Sequence, residues 1–161
     1  NSPPPALAHI TIINNIITEK AKQGKYGIVY TSWNADIVQD LLNETKNELL
    51  NQGVLEKNII VKEVPGAFEL PLAAQFLVLE EASAVISLGA IIKGDTPHFD
   101  FISNACLDGL QSVALKTNVP IICGVLTTNT MDQAIERSHP DKMNKGKEFA
   151  ISAMNMVDAL N

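Results

Sequence analysis

Apolar residues recur along the chain in two patterns: short, continuous runs rich in β-branched residues, and longer stretches with helical spacing. The continuous runs predict buried strands at residues 26–30, 58–64, 84–92 and 119–126. Apolar positions three and four apart predict helices over residues 35–51, 68–80, 98–116, 130–137 and 145–160. Strands that are apolar on both faces and alternate with helices are typical of a parallel sheet covered on both sides. The pattern therefore predicts an α/β fold with a four-stranded parallel sheet and right-handed crossovers.

The first 24 residues differ from the rest of the chain. Residues 1–8 are rich in proline, residues 10–17 are strongly β-branched, and residues 19–25 are polar. A strand at 10–17 has little nearby sequence to pair with, so we expect it to lie on the sheet edge of another subunit. We therefore predict an N-terminal segment over residues 1–24 and a single domain over residues 25–161.

Composition narrows the class of partner. The hydrophobic fraction of 46% is slightly high for a chain of 161 residues, which suggests that some apolar surface is buried against other subunits. The net charge is −6 and no block of lysine and arginine is present, so neither nucleic acid nor an anionic membrane is an expected partner. No apolar run is long enough to span a bilayer.

The cysteines and histidines give no sign of a metal site. Cys106 and Cys123 lie in apolar stretches without metal-type or Cys-x-x-Cys spacing. We predict that both are reduced core residues, which favours a cytoplasmic protein. The three histidines are scattered and lack the spacing of metal ligands, so no metal is expected.

Candidate ligand-binding residues cluster after the predicted strands, because sheets of this kind bind ligands at the carboxyl ends of their strands. Trp33, the only tryptophan, is either a lid over the core, which is the commoner case, or a stacking platform for a flat heterocycle. Asn34 is predicted to cap the helix that follows. Glu69 is either a favourable carboxylate in a first helical turn or an acceptor for ligand hydroxyl and amino groups.

The most informative stretch is residues 88–102, where the third strand ends in a polar loop that leads into a helix. A helix start presents free N–H groups and the positive end of the helix dipole, which suits an anion. Thr96 can cap this helix, Pro97 suits its first turn, and His98 can give and take protons near neutral pH. An ordinary connection with a solvated histidine explains the same residues about equally well.

Two charged residues bear on this anion site. Asp95 adds a negative charge to the loop, so an anion fits only if that side chain points outward. Arg137 suits bidentate recognition of phosphate, although a single arginine is more often a surface residue. The sequence contains no Gly-x-Gly-x-x-Gly, P-loop or Gly-x-Ser-x-Gly motif. Together the residues favour acid–base chemistry on a phosphorylated small molecule held beside a flat ring.

Six motifs, in this order and spacing, resemble the 6,7-dimethyl-8-ribityllumazine synthase family over residues 25–160. They are Ser-Trp-Asn at 32–34, Val-Pro-Gly-Ala-Phe-Glu-Leu-Pro at 64–71, Gly-Ala-Ile-Ile-Lys-Gly-Asp-Thr-Pro-His-Phe-Asp at 89–100, Val-Pro-Ile-Ile-Cys-Gly-Val-Leu-Thr at 119–127, Gln-Ala-Ile-Glu-Arg at 133–137 and Asn-Lys-Gly at 144–146. The resemblance implies a flavodoxin-like three-layer sandwich, assembled as a homopentamer or a larger particle built from pentamers. It also implies that the N-terminal strand joins the next subunit's sheet.

The reaction implied by the resemblance belongs to riboflavin biosynthesis. It condenses 5-amino-6-(D-ribitylamino)uracil with 3,4-dihydroxy-2-butanone 4-phosphate, releases phosphate and water, and needs no metal or organic cofactor. The implied proton-transfer residue is His98, and Trp33 stacks on the pyrimidine. The implied lining of the ring and ribityl chain is Ala67, Phe68, Glu69, Ala90, Ile91 and Ile92, with Cys123 from the adjacent subunit. The implied phosphate contacts are Asp95, Thr96, Arg137 from the neighbouring subunit, and Lys145.

Two related functions stay open at this point. The archaeal type of riboflavin synthase shares the fold and would dismutate the lumazine, although the Gly-Asp-Thr-Pro-His loop is more similar to that of the lumazine synthases. A non-catalytic shell or flavin-binding protein of the same fold is the other. Cys123 favours it, because the family usually has a phenylalanine or another bulky apolar residue there.

Overall fold

In the part of the chain that the structure describes, four parallel strands form one sheet, and helices cover both of its faces. The computed structural model describes residues 16–161. The strands are β1 (Tyr26–Thr31), β2 (Ile59–Val64), β3 (Ala84–Ile92) and β4 (Ile121–Thr128). The helices are α1 (Glu19–Lys22), α2 (Ala35–Asn51), α3 (Leu70–Leu79), α4 (His98–Thr117), α5 (Met131–Ser138) and α6 (Lys145–Ala159), with 3₁₀ turns at Glu56–Asn58 and Ala67–Glu69.

The strand order β2-β1-β3-β4 places the longest strand, β3, in the interior of the sheet. All three strand pairs are parallel, with Tyr26 opposite Ala84 and Ile92 opposite Thr128. Both faces of β3 are covered, and residues 84–90 are all buried, which accounts for its continuous apolar sequence. The predicted α/β fold, a flavodoxin-like three-layer sandwich, is confirmed.

Each face of the sheet has its own hydrophobic core, because successive residues of a strand point to opposite sides. Ile28 faces the core that is shared with α1, α2, α5 and α6, whereas Val29 faces the core under α3 and α4. The first core includes Leu41, Leu88, Ala150 and Met154, and the second includes Leu70, Leu77, Cys106 and Leu110. With both faces closed by helices, the ends of the strands remain as places for a ligand.

Some predicted boundaries are wrong by a few residues. The strand predicted at 119–126 is observed at Ile121–Thr128, because its pairing with β3 begins at Val85 opposite Ile121 and continues to Ile92 opposite Thr128. The helix predicted from residue 68 begins at Leu70, after a 3₁₀ turn in which the Glu69 amide donates to the Gly66 carbonyl at 3.1 Å.

The prediction that both cysteines are core residues is wrong for Cys123. Cys106 is buried between α4 and the sheet, and burial raises the pKa of its thiol to about 12. Cys123 is exposed on β4, which is an edge strand with a neighbouring strand on one side only. Apolar neighbours in the sequence therefore did not indicate burial at the edge of the sheet.

Most of the strand predicted at 10–17 lies outside the described residues, and Ile16 and Ile17 are not part of a strand. The segment from Ile17 packs onto the domain: Ile17 and Ala21 are buried, and the Tyr26 hydroxyl donates to the Ala21 carbonyl at 2.7 Å. The Thr18 amide donates to Asp158 Oδ2 at 3.2 Å, and the Thr18 hydroxyl also bonds the same carboxylate. The division between residues 24 and 25 stays a prediction.

The contact between α2 and α6 depends on Gly146. A Cβ at this position would lie 2.7 Å from the Leu41 carbonyl oxygen, and the Gly146 carbonyl accepts the Thr45 hydroxyl at 2.8 Å. We expect Gly146→Ala to lower the free energy of unfolding by about 1–3 kcal/mol, because backbone atoms must move apart. Urea denaturation measures this, with the exposed neighbour Lys147→Ala as the control. Equal unfolding midpoints for the two variants would contradict the close approach.

Candidate active site

A cavity of about 520 Å³ opens at the carboxyl ends of β1 and β3, beside the loop that follows β2. Its lining includes nine of the predicted site residues, which are Trp33, Ala67, Phe68, Glu69, Ala90, Ile91, Ile92, Thr96 and His98. These residues come from three separate loops and strand ends, as expected for ligand binding at the carboxyl edge of a parallel sheet.

The end of β3 and the start of α4 form one side of the cavity. Ala90 is buried, and Ile91 and Ile92 are half-buried. After Ile92 the chain leaves the sheet, and residues 93–97 are exposed up to the first residue of α4, His98. The His98 amide donates to the Thr96 hydroxyl at 3.4 Å, but the residue at the N-cap position of α4 is Pro97 and no side chain caps the helix. The predictions of Thr96 as the cap and of Pro97 in the first turn are therefore wrong by one position, because the helix begins only at His98.

The loop before α4 has an open backbone. A Cβ at Gly94 would meet nothing within 4 Å, and Asp95 is exposed. Both observations leave room for an anion beside the loop. Asp95 itself does not line the cavity.

Trp33 stands at the end of β1 with 72% of its surface exposed, so it is not a lid that is buried in the core of this chain. The prediction that Asn34 caps α2 through its side chain is wrong. Asn34 adopts a left-handed conformation with φ of 55°, and its Nδ2 donates to the Ala90 carbonyl at 2.9 Å. The amide therefore ties the Trp33 loop to β3 across the cavity, because this backbone conformation turns the side chain away from the helix N–H groups.

The loop after β2 brings a carboxylate and an aromatic ring to the cavity. Phe68 and Glu69 are both exposed there, on the 3₁₀ turn. The Glu69 carboxylate lies over Gly66, where a Cβ would be 3.2 Å from Oε2. A carboxylate that is open to solvent can accept hydrogen bonds from a polar ligand.

Within residues 16–161, four predicted site residues do not line this cavity: Asp95, Cys123, Arg137 and Lys145. Arg137 Nη1 donates to the Gln133 carbonyl at 3.0 Å on α5. Lys145 pairs with Glu148 at 2.8 Å at the start of α6. Cys123 lies five residues before the end of β4, far along the strand from its carboxyl end.

The cavity also includes residues that the sequence pattern did not indicate as site residues. Phe99 and Ile102 belong to the apolar spacing that predicted α4, and in the structure both line the cavity. Met131 lines it from the first residue of α5. The sequence could have indicated Met131 by its position just after residues 126–130, which lie at the end of β4 and so at the carboxyl edge of the sheet.

A family model for 6,7-dimethyl-8-ribityllumazine synthase matches residues 23–161. The chain belongs to this family. The match spans every strand of the sheet and every loop that lines the cavity. The resemblance carried by the six motifs is thereby confirmed.

Membership in the lumazine synthase family gives the activity. The chain is a transferase-type enzyme of riboflavin biosynthesis, and its substrates follow from the family: 5-amino-6-(D-ribitylamino)uracil and 3,4-dihydroxy-2-butanone 4-phosphate. In the part of the chain that the structure describes, no helix has the length and apolarity to cross a membrane. No group of three or more His, Cys, Asp or Glu side chains in residues 16–161 is arranged to hold a metal ion.

Replacing Asn34 tests the link between the Trp33 loop and β3. We expect Asn34→Ala to lower the free energy of unfolding by about 1–3 kcal/mol, since it loses the bond to Ala90 and strains the left-handed backbone. Asn34→Gly loses the bond but tolerates the conformation, so its loss should be smaller. Urea denaturation of both variants measures the two contributions. A glycine variant as stable as the wild type would show that the Ala90 bond contributes nothing.

Proposed function

We propose that this cavity is where the lumazine synthase reaction occurs, with the pyrimidine and the phosphorylated ketone held side by side. The observation that carries the proposal is the joint lining by Trp33, Glu69 and His98, which come from three different loops. An aromatic face, a hydrogen-bond acceptor and a proton carrier are what a condensation of these two substrates requires. Holding both substrates in reacting geometry can lower a barrier by roughly 7–11 kcal/mol in favourable cases.

The aromatic side of the cavity binds the pyrimidine. Trp33 stacks on the ring, because its exposed indole offers a large apolar face at low rotamer cost. Glu69 accepts hydrogen bonds from the ribityl chain or from ring N–H groups. The remaining contacts with the ring and ribityl chain come from Ala67, Phe68, Ala90, Ile91 and Ile92, with Cys123 from an adjacent subunit.

The loop before α4 binds the phosphate of the second substrate. Asp95 and Thr96 contribute through the loop backbone, and the open space around Gly94 and the start of α4 support this role. Arg137 from a neighbouring subunit supplies bidentate hydrogen bonds, with Lys145 nearby.

The imidazole of His98 transfers protons. Imine formation, elimination of phosphate and ring closure each move a proton between nitrogen, carbon and oxygen. His98 lines the cavity as the first residue of α4, directly after the phosphate loop, where it can serve such steps. The family resemblance implies that the reaction proceeds without a metal or organic cofactor.

The functional unit in this proposal is a homopentamer or a larger particle built from pentamers. An apolar surface supports it: Leu72, Phe76 and Leu79 lie on one face of α3, and Phe101 and Leu115 lie on α4, all exposed in the single chain. Both edges of the sheet, β2 and β4, are open to another chain within the described residues. Free thiols at Cys106 and Cys123 support a cytoplasmic location.

Two measurements test the proposal. Mixing the protein with both substrates should produce the lumazine, whereas incubation with the lumazine alone should produce no riboflavin, which separates this reaction from that of a riboflavin synthase. Sedimentation should give a mass near five chains or a multiple of five. A protein that binds flavin and forms no product would sink the catalytic assignment.

A further inference from the structure

The residue before Trp33 is tied to the neighbouring strand β2. The Ser32 amide donates to the Val64 carbonyl at 2.9 Å, which extends the pairing of β1 and β2 by one bond beyond Thr31. The Ser32 hydroxyl donates to Glu63 Oε1 at 2.7 Å, with the Val64 carbonyl oxygen 3.3 Å away. The loop therefore leaves the sheet with its first residue fixed by both backbone and side chain.

The same carboxylate accepts a second hydroxyl from β1. Glu63 lies opposite Tyr30 in the pairing of β1 with β2, and the Tyr30 hydroxyl donates to Glu63 Oε2 at 3.2 Å. Partial burial and the nearby carboxylate raise the pKa of Tyr30, so this phenol keeps its proton and donates across the neutral pH range. Glu63 thus uses one oxygen for the strand and the other for the loop.

The residue after Trp33 is held from the opposite side. Asn34 Nδ2 bonds the Ala90 carbonyl on β3, and the Thr31 hydroxyl donates to the Trp33 carbonyl at 3.3 Å. The indole itself is 72% exposed and has little packing of its own. Its position over the cavity therefore depends on the residues on either side, one anchored to β2 through Glu63 and the other to β3.

We propose that Glu63 is a positioning residue for pyrimidine binding, which acts by fixing Ser32 and so holding the Trp33 indole in its stacking position. This inference rests on the proposed role of Trp33 as the ring platform. Glu63 is exposed on β2 and does not line the cavity, so it contributes without touching the substrate. Its effect is preorganisation: a loop that is already ordered loses less freedom when the ring binds.

The expected signature is a loss of pyrimidine affinity with little change in chemistry. Glu63→Ala should raise the Kd and KM for the pyrimidine by about 3- to 10-fold, the size of one lost charge-assisted hydrogen bond at an exposed site. Glu63→Gln keeps one acceptor oxygen and should show an intermediate loss. Values of kcat and of KM for the phosphorylated ketone should stay within about twofold, because neither His98 nor the phosphate loop contacts Glu63.

The experiment uses the full chain and the pyrimidine substrate as the probe. Quenching of Trp33, the only tryptophan, gives the Kd, and the anisotropy decay of its fluorescence reports how freely the loop moves. Glu63→Ala should raise the amplitude of the fast component of that decay, which reports local motion, and Ser32→Ala should do the same. Ser32→Ala combined with Glu63→Ala should be no worse than the worse single variant, because both remove the same bond. Lys62→Ala, next to Glu63 but directed to the other face of the sheet, is the matched control.

Trp33→Ala, assayed by KM and calorimetry, separates the stacking role of Trp33 from the positioning role of Glu63. If Trp33→Ala leaves pyrimidine affinity unchanged, the stacking role fails and the positioning role fails with it. Suppose instead that Trp33→Ala lowers the affinity for the pyrimidine, but Glu63→Ala has the same Kd and the same anisotropy decay as the control Lys62→Ala. In that case only the positioning role is overturned. A Glu63→Ala variant that lowers the affinity for both substrates equally would also overturn the positioning role.

Discussion

Replacing His98 with alanine is expected to slow turnover by about 10²–10⁴-fold, the usual contribution of a positioned proton carrier. Substrate affinities should change by no more than about threefold, since His98 is proposed to act on protons that move in the transition state. Single-turnover measurement of lumazine formation, with both substrates saturating, gives the rate directly. The fold and the proposed assembly should persist, because His98 is exposed at the start of α4 and outside both cores.

A control for this variant lies in the same helical turn. Asp100 is exposed and does not line the cavity, so Asp100→Asn should retain turnover within about twofold. It reports any general effect of changing the start of α4. Wild-type turnover by His98→Ala would refute the proton-transfer role, whereas equal losses in both variants would indicate a disturbed helix start.

Arg137→Ala is expected to lower the affinity for the phosphorylated ketone by about 10- to 100-fold, while the affinity for the pyrimidine stays nearly unchanged. The loss reflects a guanidinium that binds phosphate through two parallel hydrogen bonds, so Arg137→Lys should recover only part of it. Separate titrations with each substrate measure the difference. Lys142→Ala, which removes a cation paired with Glu136 at 3.5 Å on the protein surface, is the control for general charge. Equal losses for the two substrates would contradict a phosphate role.

The location of Arg137 gives this prediction a second, sharper form. Arg137 does not line the cavity of its own chain, so in the proposed assembly it serves the cavity of a neighbour. Coexpressing His98→Ala with Arg137→Ala subunits should then restore activity, because some mixed sites combine an intact His98 with an intact Arg137. If Arg137 served its own chain, every site would lack one residue, and the mixture would be no more active than the two variants alone.

The pattern of apolar residues predicted the framework of the fold because burial dictates that pattern. The bounds of β3 and α2 were predicted without error, since every position of β3 from 84 to 90 is buried and α2 has a regular inner stripe. Cys123 shows the limit of this inference. Its neighbours in sequence are apolar, but exposure at the edge of a sheet depends on strand order, which a local pattern does not contain.

The candidate site was predictable where chemistry coincides with a strand end. Trp33, Glu69 and His98 follow three different strands and line one cavity. Asn34 and Met131 were not recognised, for different reasons. The hydrogen bond from Asn34 to Ala90 depends on a left-handed backbone conformation, which no residue type guarantees. Met131 is an apolar residue of the kind that usually packs in a core, so its residue type did not indicate a place in the cavity lining.

The bonds between Thr18 and Asp158 have a consequence for engineering. They join a residue near the start of the described chain to one near its end, beside Tyr26 at the amino end of β1 and so opposite the cavity. A short linker between these two points, with new termini opened in a surface loop, would give a circular permutant that keeps both cores. Because the junction is remote from Trp33 and His98, such a permutant offers a way to move the chain ends to another face of the subunit while leaving the chemistry in place.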